Sequence, residues 1–146
     1  MPVDVSSEIT ILRPRDAVAG FSADPDNAPA WYVNIKAVEW KSPRPLAVGS
    51  KLAFIATFLG RRLAYTYSVS EFVPGERMVM QTSEGPFPME TTYLWETVPD
   101  GTRMVLRNRG APAGFSKAVA PFLVLAMGRA NRKDLLRLKG ILEGRA

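Results

Sequence analysis

FSKAVAPFLVLAMGRANRKDLLRLKGILE, residues 115–143, is the longest helix-like stretch of the chain, and its patterning dictates what the rest must provide. Val124, Met127, Leu135, Leu138, Ile141 and Leu142 recur at the three- and four-residue steps of one helical face. Arg129, Arg132, Lys133, Lys139 and Glu143 fall on the other side. A helix with one dry stripe needs a concave apolar surface to lie against, and a curved sheet is the obvious partner. Two polar residues interrupt the stripe: at about 100° per residue Asn131 falls beside Leu138 on the side away from Met127, and Asp134 falls close to Ile141. Pro121 removes a backbone donor early in the run, so the segment before it is expected to form a separate or kinked turn.

Upstream of this helix, residues 35–109 follow period two with turn chemistry between the runs, and no helical stretch intervenes. Strands are expected at 35–41, 51–58, 61–72, 77–82, 88–98 and 102–109. Gly60, Pro74-Gly75 (a type II turn), Gly85-Pro86 and Asp100-Gly101 (a tight hairpin) punctuate them. Consecutive hairpins make an antiparallel meander. Before it, residues 7–12 alternate as a first strand, and Pro14 opens a short helix with Ala17, Val18 and Phe21 inward. Asp24-Pro25-Asp26-Asn27 ends that helix, and Asp26 or Asn27 is placed to cap a second short turn ending at Trp31. The expected class is α+β: a seven-stranded antiparallel sheet curved around a long C-terminal helix, with two short helices after the first strand.

Composition narrows the chemistry. The chain has 146 residues, 47% hydrophobic and 23% charged, which suits one domain over residues 1–146. It contains no cysteine and no histidine. That excludes Ser-His and Cys-His nucleophile pairs, thiolate or imidazole zinc sites and His-ligated haem. No metal and no cofactor is expected. The opening MPVDVSSEITI lacks a basic region leading into an apolar core, so no signal peptide is expected. The uncharged apolar run 118–128 is too short for a membrane span. With no cysteines, a cytoplasmic location is the expectation. The net charge of +5, from 19 Lys and Arg against 14 Asp and Glu, gathers in 103–109 and 129–145. Without exposed aromatics between these groups, nucleic acid is not an expected partner. A solvated basic helix end is the plain reading, with an acidic partner or anionic lipid surface beside it.

Alternation assigns the inward residues of each strand. Leu52, Phe54, Ala56 and Phe58 share one side, as do Leu63, Tyr65, Tyr67 and Val69, and Met89, Thr91, Tyr93 and Trp95. On the last strand Met104, Leu106 and Asn108 point in, and Arg103, Arg107 and Arg109 point to solvent. Tyrosine, tryptophan and asparagine on an inner surface each bring a polar atom that needs a partner. Two readings follow: a cavity walled by apolar groups with a few placed polar ones, or a plain core whose hydroxyls reach the rim. The candidate ligand contacts are Phe54, Phe58, Tyr65, Tyr67, Met89, Tyr93 and Trp95 on the sheet. Leu106 and Asn108 continue them, and Met127, Asn131, Asp134 and Leu138 face them from the helix. Trp31 is read as sealing the short helices to the sheet, and Trp40, in step with Val38, as core or interface.

In order and spacing, several stretches resemble the START-like superfamily of polyketide cyclases/dehydrases and lipid-transport proteins, which includes the Bet v 1 allergens. These are the first strand with Pro14, DPDNAPAW (24–31), AVGSKLAF (47–54), PGERMVMQT (74–82), PDGTRMVLR (99–107) and LLRLKGILE (135–143). The resemblance implies a helix-grip fold with an apolar cavity between sheet and helix. It carries no family-wide catalytic motif. Three functions are therefore weighed: binding of a small hydrophobic ligand (lipid, aromatic or polyketide-like), cyclase- or dehydratase-like acid-base chemistry, and a protein-interaction module, with a homodimer through the sheet left open. Asp134 is the candidate acid-base group if burial raises its pKa. An ion pair with a nearby arginine at the helix edge is the competing role, and the expected one.

Overall fold

The computed structural model describes residues 3–58, 61–82, 88–110 and 120–144. One sheet runs through it, made of β1 (Val3–Ile11), β2 (Ile35–Trp40), β3 (Lys51–Phe58), β4 (Arg61–Val73), β5 (Arg77–Thr82), β6 (Met89–Val98) and β7 (Gly101–Gly110). The strand order is β1-β7-β6-β5-β4-β3-β2, every neighbouring pair antiparallel. The sequence order is thus a meander with the first strand returning beside the last. Between β1 and β2 stand α1 (Arg15–Ala23), a 3₁₀ turn at Pro25–Asn27 and α2 (Ala28–Trp31), and α3 (Ala120–Leu142) ends the chain. This is the helix-grip architecture.

The turns behave as their residues require. Gly75 has φ +81, the left-handed conformation that the third residue of a type II turn needs. A Cβ on Gly101 would stand 2.2 Å from the Ile11 carbonyl oxygen, so only glycine lets β7 start that close to β1. Gly60, Gly85-Pro86 and the segment before α3 lie outside the described residues.

Several local expectations are corrected. β1 starts at Val3 rather than residue 7, because it pairs with β7 as far as Gly110. α1 buries Val18, Ala19, Ser22 and Ala23, while Ala17 is exposed. Asn27 stands at the N-cap position of α2, as expected, but its side chain makes no capping bond and donates its amide to the Phe21 carbonyl instead. Asp24 caps the preceding 3₁₀ turn, its carboxylate accepting the Asp26 N–H at 3.0 Å. Trp31 is fully buried against Tyr32 and Tyr93, with ring centroids 4.1 and 5.8 Å away. Trp40 is half-buried, donates its indole N–H to Asp26 and lies under the Arg44 guanidinium.

α3 lies along β1 and sends Leu135 and Leu138 into a core shared with Ile11, Val18, Trp95, Met104 and Leu106. Its stripe is narrower than the apolar pattern implied, because Val124 and Ile141 remain 37% and 36% exposed. Lys139 and Glu143, expected in water, fasten the helix end instead. Lys139 Nζ donates to the Thr10 carbonyl at 2.7 Å and pairs with Glu143 at 2.5 Å, and the Glu143 carboxylate accepts the Leu12 N–H at 2.8 Å. On the outer face of the sheet the arginines of β7 are neutralised across strands. Arg103 meets Glu8 and Glu96, Arg107 meets Asp4, and Arg109 meets Glu90.

Candidate functional site

A cavity of about 180 Å³ opens inside the concave face. Its walls are Tyr32, Ile35, Phe54, Ala56, Tyr65, Tyr67, Met80, Thr91, Tyr93 and Asn108. Strand alternation places most of these. Phe54 and Ala56 face inward from β3, Tyr65 and Tyr67 from β4, and Thr91 and Tyr93 from β6, in register with Asn108 and Leu106 of β7. Phe54 meets Tyr67 edge-on, with centroids 5.6 Å apart.

Polar groups occur in two places on this wall. Thr91 donates its hydroxyl to the Asn108 side-chain amide oxygen Oδ1 at 2.7 Å and also hydrogen-bonds the Tyr67 hydroxyl. The Tyr32 and Tyr93 hydroxyls hydrogen-bond each other. Burial raises the pKa of Tyr32, Tyr93 and Tyr67, so all three stay neutral hydroxyls at physiological pH.

Asp134 projects from the buried face of α3, 6% exposed, and accepts the Val33 N–H at 3.0 Å. Burial pushes its carboxyl up to about 6, against the opposing pull of the Val33 hydrogen bond and the Arg137 charge. Its field also contributes to raising Tyr32 and Tyr93. The arginine ion pair expected for it does not form among the described residues, because the carboxylate turns to the Val33 N–H instead. A carboxyl that titrates near neutrality can both accept and return a proton. Asn131, three residues earlier on the same face, is 6% exposed, and its Nδ2 has no hydrogen-bond partner among the described residues.

Of the residues singled out from the sequence, Phe54, Tyr65, Tyr67, Tyr93 and Asn108 stand on the cavity wall, whereas Asn131 and Asp134 are buried on α3 without lining it. Leu106 and Leu138 are fully buried in the core. Trp95 is also core, and its indole N–H donates to Ser22 of α1 at 2.9 Å. Met127 is half-buried on α3. Met89 borders a separate groove at the β1–β7–β6 end of the sheet, beside Val3, Thr82 and Arg109. The Phe58 side chain lies outside the described residues. Tyr32, Ile35 and Met80 were not anticipated. Met80 is directly opposite Thr91 in the β5–β6 register, so alternation carried onto β5 would have found it. Tyr32 sits between α2 and β2, where neither helical nor strand periodicity assigns a direction.

The fold and its inner cavity define a helix-grip protein, and the family follows from the sequence itself. Residues 2–143 match the model for polyketide cyclase/dehydrase and lipid transport, so the chain belongs to that family. No curated protein matches it by sequence. Among solved structures it is similar to the di-domain ARO/CYC StfQ from the steffimycin biosynthetic pathway, with a TM-score of 0.84 at 12% identity. That match covers 99% of this chain and 52% of StfQ, so the chain spans about half the length of that relative. ZhuI aromatase/cyclase from Streptomyces sp. R1128 superposes with a TM-score of 0.82 at 17% identity, covering 99% of this chain and 96% of that one. Ara h 8.0201 gives 0.77 at 10% identity, with 99% of each chain covered. At these identities the likeness establishes the fold.

Proposed function

We propose that this chain is a single domain that binds a compact hydrophobic molecule, of one- or two-ring size, in the cavity under Phe54, Tyr67 and Tyr93. The observation that carries the reading is the cavity's volume together with its wall. An apolar space of about 150 Å³ is enough to hold a benzene ring, and this partly open one measures about 180 Å³. Aromatic faces supply contact area, and the Thr91–Asn108 and Tyr32–Tyr93 pairs offer donors and acceptors to a hydroxyl or carbonyl substituent. The family's range, from cyclases to lipid carriers, includes such a role.

One observation favours acid-base catalysis as a second reading. Asp134, with its carboxyl raised to about 6, lies behind the cavity wall and acts by its field on Tyr32 and Tyr93. A proton exchanged near neutrality, as cyclisation or dehydration of a keto substrate demands, would pass through those hydroxyls. Substituting Asp134→Asn separates the two: turnover lost with affinity retained supports catalysis, and turnover retained removes the proposed base.

Native mass spectrometry of freshly purified protein, compared with the same sample denatured, tests the binding reading. A discrete adduct of one- or two-ring mass that leaves on denaturation is the expected result. A bare protein that also fails to change its tryptophan fluorescence with naphthol- or hydroxybenzoate-type probes would overturn it.

A further inference from the structure

The outward face of α3 carries side chains that a merely solvated helix does not call for. Phe122, Leu125 and Leu136 are 74%, 54% and 48% exposed. At about 100° per residue these three fall within an arc of roughly 60°. Arg129 lies inside that arc, and Arg132 and Lys133 flank it at about 20° on either side. All three cations are exposed. The face is therefore a stripe of aromatic and aliphatic tips interleaved with positive charge.

Several arginines of the sheet and its loops are neutralised, whereas the cations of this stripe are not. Arg44, Arg77, Arg103, Arg107, Arg109 and Lys139 each have a carboxylate in contact. Arg129, Arg132 and Lys133 have none within ion-pair distance among the described residues. The one acid within α3, Asp134, is buried on the opposite side. The chain's net charge is +5, and these unpaired helix cations form part of that excess.

Charge complementarity selects the occupant. A second copy laid on this face would bring its own three cations against these three, a repulsion with no acid nearby to relieve it. An anionic bilayer answers both features. Headgroup phosphates take the arginines and lysine, and the acyl boundary takes the apolar tips. No described helix is long and apolar enough to cross a membrane, so the engagement is peripheral. We propose that the outer face of α3 docks the protein on anionic lipid surfaces, through Phe122, Leu125 and Leu136 framed by Arg129, Arg132 and Lys133. This proposal is independent of what the cavity binds.

Vesicle co-sedimentation of the full chain tests it. Binding to vesicles of equimolar phosphatidylserine and phosphatidylcholine, absent on phosphatidylcholine alone and weakened by added salt, is expected. The triple variant Arg129→Gln/Arg132→Gln/Lys133→Gln should lower partitioning on the order of 100-fold. Phe122→Ser/Leu125→Ser should lower it about tenfold or more. These side chains are exposed, so circular dichroism is expected to report both variants folded. Absence of binding to the anionic vesicles overturns the proposal, and so does binding that neither variant reduces. Self-association in sedimentation velocity that the Phe122/Leu125 variant abolishes, without vesicle binding, would assign the face to a second copy instead.

Discussion

Replacing Asp134 with asparagine should make the protein more stable at neutral and alkaline pH, and only there. In the unfolded chain the carboxyl titrates at the ordinary aspartate value of 3.8, and in the folded protein at about 6. Between those values the folded state holds a proton that the unfolded state has released, so stability falls as pH rises through the window. Above it the ionised, buried carboxylate destabilises the fold by a constant amount. A gap of about 2 pH units corresponds to about 3 kcal/mol at most. Asparagine keeps an oxygen to accept the Val33 N–H, at 3.0 Å in the native protein, and carries no charge to desolvate. Asp134→Asn is therefore expected to gain about 2–3 kcal/mol in urea unfolding at about pH 8 and almost nothing at about pH 4. For a chain of this size that raises Tm by on the order of 5–10 °C at the higher pH. A variant no more stable than the parent at the higher pH would refute the argument. A gain of equal size at both pH values would do the same, since it would trace to packing rather than to charge. Coupled to loss of turnover or ligand selectivity, the stability gain would identify Asp134 as a residue retained for function at the expense of the fold.

Two further substitutions probe the surroundings. Ser22 Oγ accepts the Trp95 indole N–H at 2.9 Å and donates to the Val18 carbonyl at 2.6 Å, all in the core. Ser22→Ala leaves that indole N–H buried without an acceptor and should lose about 1–3 kcal/mol in chemical denaturation, with cavity-ligand affinity unchanged. Asn131→Leu removes a buried amide whose Nδ2 has no partner among the described residues, so unfolding stability should hold or rise by about 1 kcal/mol. Calorimetric titration should show weaker ligand binding, and unchanged affinity would remove Asn131 from the site.

Local rules made the sheet legible. The expected limits of β3 and β5 coincide with the observed Lys51–Phe58 and Arg77–Thr82, because alternation and the flanking turns are encoded within a few residues of each other. What depended on distant partners was not legible. The early start of β1 rests on pairing with β7, whose Arg107 binds Asp4, 103 residues away. Lys139 and Glu143 looked like solvated charges because their acceptor and donor on β1, the Thr10 carbonyl and the Leu12 N–H, lie 129 and 131 residues off. Val124 and Ile141 satisfy the helical period but sit at the margins of the stripe, where they are covered only in part.

The candidate site divides along the same line, and the division explains where the cavity lies. Strand parity states which face a residue takes, not how much covers it. Tyr93 and Trp95 share parity on β6, yet one borders empty space and the other is bonded to α1 through Ser22. Along β7, Met104 and Leu106 are filled over by Leu135 and Leu138, whereas Asn108 is not. The short helices and the last turns of α3 thus close one end of the concave face. They leave a void from Tyr93 to the Thr91–Asn108 rung, bounded by the aromatics of β3 and β4. Its small volume is set by that coverage. The size of the void in this chain therefore depends on how far α1, α2 and α3 extend over the inner face of the sheet.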